Sequence, residues 1–185
     1  MDPAVARGRL IATLQGAYSG ELAAAHAYNG HWRSVSDPDE RREIRRIEEE
    51  ELEHRARVGE MLAELGSGPQ AWREAFFDAL GRVIGALCFL SGYFAAMHGA
   101  GRLEERNVGE YADAARYAAH AGLGHLCDEL LHMSEIEHDH EGYFRAKTEA
   151  HWLARLVPMW PHPPPREEIR AAFQREFPGL PVSPS

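Results

Sequence analysis

The sequence contains one pattern of acidic and histidine residues twice, and this repeat constrains the fold more than any other feature. Two segments have the form Glu-x-x-His, namely Glu51 to His54 and Glu135 to His138. Residues three apart share a face of an α-helix, so each pair can point at one metal ion. Each motif also follows an upstream glutamate at a matching distance: Glu21 lies 30 residues before the first motif and Glu104 lies 31 residues before the second. The chain is therefore predicted to contain two copies of one helix pair.

Capping residues and glycines mark the ends of four predicted helices. Apolar residues at helical spacing, with breaks rich in Gly, Ser and Pro, place these helices at Asp2 to about Trp32, Asp37 to Gly66, Trp72 to about Ala121 and Leu126 to His151. The third is expected to bend at Gly99 or Gly101, and its apolar run from Val83 to Ala100 is expected to be buried. No segment alternates with period two, so we predict an all-α fold, an antiparallel four-helix bundle.

The C-terminal region differs in composition from the rest of the chain. Eight of the 11 prolines lie between Pro158 and Pro184. We predict a helical domain over residues 1–155 and a Pro-rich tail over residues 156–185, which packs on the bundle as a strap or is partly ordered. One short helix is expected between Arg166 and Phe177.

In the predicted bundle the repeated motifs bring acidic and histidine side chains to one level. The predicted metal ligands are Glu21, Glu51, His54, Glu104, Glu135 and His138. One Glu from each of two helices and a Glu-x-x-His from each of two others is the donor set of dimetal carboxylate bundles. Four buried carboxylates would be costly without cations to neutralise them. A rival pair, Glu129 and His132, lies on another face and breaks the match in spacing. The remaining histidines are interpreted as ordinary polar residues (His26, His98, His120, His125 and His140), and Met97 and Met133 as core residues.

Composition excludes several classes of function. The formal net charge of −9 argues against a nucleic-acid-binding protein. Two cysteines, Cys88 and Cys127, with no Cys-x-x-Cys motif, exclude a disulfide framework and a zinc ribbon. No uninterrupted apolar run is long enough to span a membrane, and the N-terminus has no signal-peptide pattern. We therefore expect a cytoplasmic protein without a transmembrane span, for which peripheral membrane contact and homo-oligomerisation stay open.

The sequence resembles the ferritin-like diiron proteins, and more narrowly the demethoxyubiquinone hydroxylase family, over about residues 8–147. The motifs that carry the resemblance are Gly20-Glu21 followed by small residues, the two Glu-x-x-His motifs, and a Gly-rich third helix ending in Glu104-Glu105. The resemblance implies a ferritin-like bundle and a diiron site that reduces dioxygen and hydroxylates a quinone ring. It also matches Tyr111 to a tyrosine that follows the third-helix ligand, so Tyr111 is a candidate for a role next to the metal ligands.

Three functional hypotheses follow. The first is a monooxygenase-like diiron oxidoreductase that uses dioxygen and a small hydrophobic or quinone-like substrate. Its electrons would come from the substrate, a reductase or a nicotinamide. The second is a ferroxidase or iron-handling protein with no organic substrate, and the third is a metal-stabilised bundle without turnover. Two iron ions are the expected cofactor, while manganese or an iron–manganese pair suits the same ligands. Either the pair Glu51 and Glu135 or the pair Glu21 and Glu104 would bridge the metals.

Overall fold

The computed structural model describes residues 1–183, and this part of the chain contains helices and no strand. The prediction of an all-α fold is therefore confirmed. The six α-helices and two 3₁₀ turns are α1 (Pro3–Ser34), α2 (Pro38–Glu64), α3 (Ala71–Ser91), α4 (Tyr93–His120), a 3₁₀ turn (Gly124–Leu126), α5 (Cys127–Glu149), a second 3₁₀ turn (Trp152–Arg155) and α6 (Arg166–Glu176).

The chain forms two compact units. One unit is the segment Leu14–Ala96, and the other joins Met1–Thr13 to the chain from Met97 onward. The first unit thus contains most of α1 with α2 and α3, and the second contains the start of α1, nearly all of α4, and α5 and α6.

In the Leu14–Ala96 unit, α2 begins at a conventional N-cap. The side chain of Asp37 accepts hydrogen bonds from the amides of Asp39 and Glu40 at 2.8 and 3.0 Å, as the sequence predicts. Apolar side chains of α2 are buried at helical spacing: Ile44, Ile47, Val58 and Leu62. Glycines of α3 lie directly against α1: a Cβ added to Gly81 would lie 2.5 Å from the Ala23 carbonyl oxygen. This small-residue contact lets the two helix backbones approach closely.

The third predicted helix is in fact two helices. The chain breaks at Gly92, whose φ of 79° lies in the left-handed region that glycine adopts readily. The expected bend at Gly99 or Gly101 is wrong, since both residues lie inside α4. Gly101 instead gives room to an aromatic ring, because a Cβ there would overlap the indole of Trp160.

The expectation that the run from Val83 to Ala100 is buried is also wrong for its first half. Val83, Leu87 and Leu90 are exposed on α3, and Leu90 exposes 82% of its surface. The physical reason is that α3 turns its glycine face towards α1, which leaves its bulkiest apolar side chains on the outside. Phe94 and Met97, early in α4, are buried as expected.

In the second unit α4 and α5 are joined by buried polar contacts. Ser134 Oγ donates to the Val108 carbonyl at 2.7 Å, and Cys127 Sγ donates to the Ala115 carbonyl at 3.4 Å. Met133 is buried, as the sequence predicts. These contacts hold the two helices in a defined register, which positions the acidic residues described below.

The described part of the C-terminal region packs on α5. Trp160 is buried, and its indole Nε1 donates to Glu141 Oε1 at 2.6 Å. Helix α6 matches the short helix predicted between Arg166 and Phe177, and it buries Ile169, Arg170 and Phe173. Residues 158–183 therefore form a strap, while the predicted boundary of a separate tail stays a prediction and Pro184 lies outside the described residues.

Among the described residues, no helix has the length and apolar character needed to cross a membrane.

Candidate metal centre

The Leu14–Ala96 unit contains a buried triad of Glu21, Glu51 and His54. Glu21 comes from α1, and the other two residues lie one turn apart on α2. Their ligand atoms lie within 4.8 Å of one another, and none of the three residues exposes more than 4% of its surface. Glu51 Oε2 is 3.9 Å from His54 Nδ1. The structure therefore brings together the first predicted Glu-x-x-His motif and its upstream glutamate. We call these three residues the first triad.

The second unit contains a matching triad of Glu104, Glu137 and His140. Glu104 comes from α4, and the other two residues lie one turn apart on α5. Their ligand atoms also lie within 4.8 Å of one another, and all three residues are fully buried. His140 Nδ1 is 3.9 Å from Glu137 Oε2, the same separation as in the first triad. We call these residues the second triad.

Asn107 connects the two carboxylates of the second triad. Its Nδ2 donates to Glu104 Oε2 at 3.2 Å and to Glu137 Oε2 at 3.4 Å. The amide group therefore restricts the orientation of both carboxylates. Asn107 was not among the predicted site residues, although its position three residues after Glu104, on the same helix face, was a usable signal.

The structure places Glu135 and His138 outside both triads, which corrects their expected location. The carboxylate of Glu135 accepts a hydrogen bond from Arg170 Nε at 2.9 Å, so it faces α6. His138 is only half-buried. A shift of two residues along a helix turns a side chain by about 200°, so Glu135 and Glu137 cannot share one face.

Two overlapping Glu-x-x-His motifs on α5 explain why the predicted pair differs from the pair in the second triad. Glu137 and His140 have the same spacing as Glu135 and His138, so the local motif selects neither pair. The distance from Glu104 and the family resemblance favoured Glu135. The better signal was the buried face of α5, where Glu137 falls in helical register with Leu130, Ser134, Glu141, Phe144 and Thr148.

The rival pair lies outside both triads, as predicted. His132 is exposed, and its imidazole is 3.9 Å from Glu135. Tyr111, a candidate from the family resemblance, is buried on α4, and its role stays a prediction. His26 pairs with Asp78 at 2.8 Å and His98 faces the Pro158 carbonyl at 3.0 Å, so both have the ordinary polar roles expected of them.

The buried residues of the two triads fit a transition-metal site in their chemistry. Each triad offers two carboxylates and one imidazole, and oxygen and nitrogen ligands of this kind suit iron and manganese. Ionised carboxylates in a buried position require compensating positive charge. Divalent cations supply that charge, so the donor set is compatible with metal binding.

These observations define the class: an all-α protein with a buried carboxylate and histidine donor set carried by helix pairs. The family model described as "Ubiquinone biosynthesis protein COQ7" matches residues 10–116, more than half of the chain. The chain therefore belongs to this family, within the ferritin-like diiron superfamily, and the resemblance found in the sequence is confirmed. Comparison with curated proteins and with solved structures gives no match.

The family match covers the first triad and Glu104, and it ends before α5 begins. The assignment of Glu137 and His140 to the second triad therefore depends on their geometry alone.

Proposed function

We propose that each of the two triads binds one iron ion, and that the protein is a diiron oxidoreductase that hydroxylates a quinone-like substrate with dioxygen. Membership of the ubiquinone biosynthesis family supports a quinone-like substrate. The observation that carries the metal assignment is the equivalence of the triads, each of which has two buried carboxylates and one buried imidazole. Two divalent ions would balance the four carboxylate charges.

The proposed ligand set differs from the sequence prediction at one motif. The ligands are Glu21, Glu51, His54, Glu104, Glu137 and His140. Glu137 and His140 replace Glu135 and His138 because they share the second triad with Glu104 and are fully buried. Glu135 is already engaged with Arg170, which neutralises its charge without a metal ion.

Bound iron supplies the redox chemistry that reduces dioxygen, and the side chains of this chain prepare the site for it. Burial keeps bulk water away from the carboxylates and imidazoles, which strengthens their interaction with a cation. The amide of Asn107 fixes the two carboxylates of the second triad before a metal binds. Because the ligands come from rigid helices, little reorganisation accompanies binding.

Hydroxylation sets a requirement for electrons. One atom of dioxygen enters the substrate and the other leaves as water, so each turnover consumes two electrons and two protons beyond those of the substrate C–H bond. We propose that a separate reductase or a nicotinamide supplies the electrons. Manganese in place of iron, in one position or both, is an alternative for the same ligands.

The test is oxygen consumption by iron-loaded protein with and without a quinone that lacks one ring hydroxyl, in the presence of a chemical reductant. We expect consumption to depend on the quinone and to match the hydroxylated product formed, as measured by mass spectrometry. Oxidation of added ferrous iron without organic product would instead identify a ferroxidase. Glu137→Gln should abolish product formation, whereas Glu129→Gln, a change at the rival pair, should preserve it.

A further inference from the structure

Helix α3 presents an unusual outer face. Its inner face is formed by glycines and by polar residues bonded to α1, such as Asp78, whose carboxylate pairs with His26 at 2.8 Å. Large apolar side chains cover the outside instead. Those that are exposed are Trp72, Phe76, Leu80, Val83, Ile84, Leu87, Phe89 and Leu90. Soluble monomers rarely leave a contiguous apolar patch of this size uncovered.

Five of these residues are spaced as a helix-pairing seam. Phe76, Leu80, Val83, Leu87 and Leu90 follow one another at intervals of four, three, four and three residues. This 4-3-4-3 spacing is the a/d pattern of coiled coils, in which a narrow apolar stripe packs against a second helix. We call these five residues the outer seam.

The positions beside the outer seam also suit a helix as the partner. One side is formed by Trp72, Ala79 and Ala86 and the other by Phe77, Ile84 and Ser91, and none of these residues is charged. The small side chains of Ala79 and Ala86 allow a second backbone to approach. The charged residues of α3 are two arginines and two acidic residues, so this helix has no surplus of basic residues to attract an anionic lipid surface. Two copies of this uncharged seam would not repel one another locally.

The apolar area that α3 exposes is close to the area that one partner buries in a stable protein interface. The outer seam with its flanking Trp72 and Ile84 exposes on the order of 700 Å² per chain, close to the roughly 800 Å² per partner that stable protein interfaces bury. We propose that α3 packs against α3 of a second copy of this chain, so that the outer seam forms the interface of a two-fold symmetric homodimer. Val83 lies at the middle of the seam, next to its own copy in either helix direction.

The central position of Val83 allows a complementation test on the full chain. Sedimentation velocity of the wild-type protein at micromolar concentration should give twice the mass of one chain. Val83→Glu and Val83→Lys should each be monomeric, because like charges meet at the symmetry axis, and an equimolar mixture should recover the dimer. Phe89→Glu is the matched control, since Phe89 is equally exposed at 58% but lies off the seam.

Several outcomes would overturn the proposal. One is a monomeric wild-type protein, and another is a dimer that persists in both Val83 variants or dissociates equally in the Phe89 control.

Flotation of the wild-type chain with phosphatidylcholine and phosphatidylserine vesicles is measured in parallel. A monomer that floats with vesicles, and loses this binding in Val83→Glu, would identify a lipid surface as the occupant. Circular dichroism of each variant checks that the exposed substitution leaves the helices intact.

Discussion

At the residue scale, Arg170 holds the C-terminal strap to α5. The guanidinium of this buried residue donates to Glu135 Oε1 at 2.9 Å and to Asp128 Oδ1 at 2.6 Å. It also donates to the Ser183 carbonyl at 3.2 Å. One side chain of α6 therefore neutralises Glu135, two residues before Glu137 of the second triad, and also binds the backbone of Ser183.

Loss of Arg170 should be costly because it removes the closest cation from the buried carboxylate of Glu135, at 2.9 Å. We expect Arg170→Met to lower the free energy of unfolding by about 3–5 kcal/mol. The control is Arg175→Met, which removes an exposed pair with Glu168 and should cost less than about 1 kcal/mol. Urea denaturation of metal-free protein measures both values, and equal losses in the two variants would contradict the role of Arg170.

His31 should make the protein sensitive to mild acid. Burial lowers the pKa of His31 from its usual value of 6.5 to about 4, despite the opposing influence of Glu40. The unfolded chain therefore takes up a proton between pH 6.5 and 4 that the folded chain does not bind. Stability falls over this range as pH falls, by up to about 3 kcal/mol from this residue.

We expect His31→Phe to reduce the loss of stability between pH 6.5 and 4, and His162→Phe, a change at an exposed histidine, to leave it as in the wild type. The measurement is the denaturation midpoint as a function of pH, with a chelator present so that metal binding does not contribute. An unchanged pH profile in His31→Phe would show that other groups cause the acid sensitivity.

At the element scale, most helices could be predicted because the residues that begin and end a helix lie next to it in the sequence. The N-cap at Asp37 and the apolar spacing of α2 were predicted and are present. The break between α3 and α4 was missed because Gly92, Gly99 and Gly101 look alike in sequence, and only tertiary packing decides which adopts a positive φ. The sequence also could not show which face of α5 is turned towards Glu104, since two overlapping Glu-x-x-His motifs on this helix have the same spacing.

The packing of α3 on α1 depends on glycine. A Cβ on Gly85 would lie 2.6 Å from the His26 carbonyl oxygen, a backbone atom that cannot move aside cheaply. We expect Gly85→Ala to lower the free energy of unfolding by about 1–3 kcal/mol. Gly109→Ala on α4 is the control: nothing lies within 4 Å of its Cβ position, so it should raise stability by up to about 1 kcal/mol. Thermal denaturation followed by circular dichroism distinguishes the two, and a stabilised Gly85→Ala would refute the close contact.

At the scale of the whole molecule, metal binding should increase the stability of a fold that also forms without metal. Each unit has its own buried apolar core, so we expect metal-free protein to stay helical and to unfold cooperatively. A ligand at a hundredfold excess over its Kd adds about 2.7 kcal/mol to stability. Calorimetry with and without ferrous iron measures this shift in Tm, and a metal-free chain that is unfolded at room temperature would contradict the expectation.

The candidate site was predictable only in part. Glu21, Glu51, His54 and Glu104 could be found from the sequence because each stands at a repeated distance in a helical pattern. Glu137 and His140 could not be separated from Glu135 and His138 by spacing. Arg170 decides between them: it lies 35 residues further along the chain, and its pairing with Glu135 becomes visible only when α6 packs on α5.

The central claim is that the second triad, rather than the neighbouring Glu135 and His138, binds the second of two metal ions. Its most direct test is the ferrous iron content of anaerobically loaded protein, measured by mass spectrometry for the wild type, His140→Ala and His138→Ala. We predict two ions per chain in the wild type and in His138→Ala, and fewer than two in His140→Ala. Two ions retained in His140→Ala with loss in His138→Ala would contradict the account.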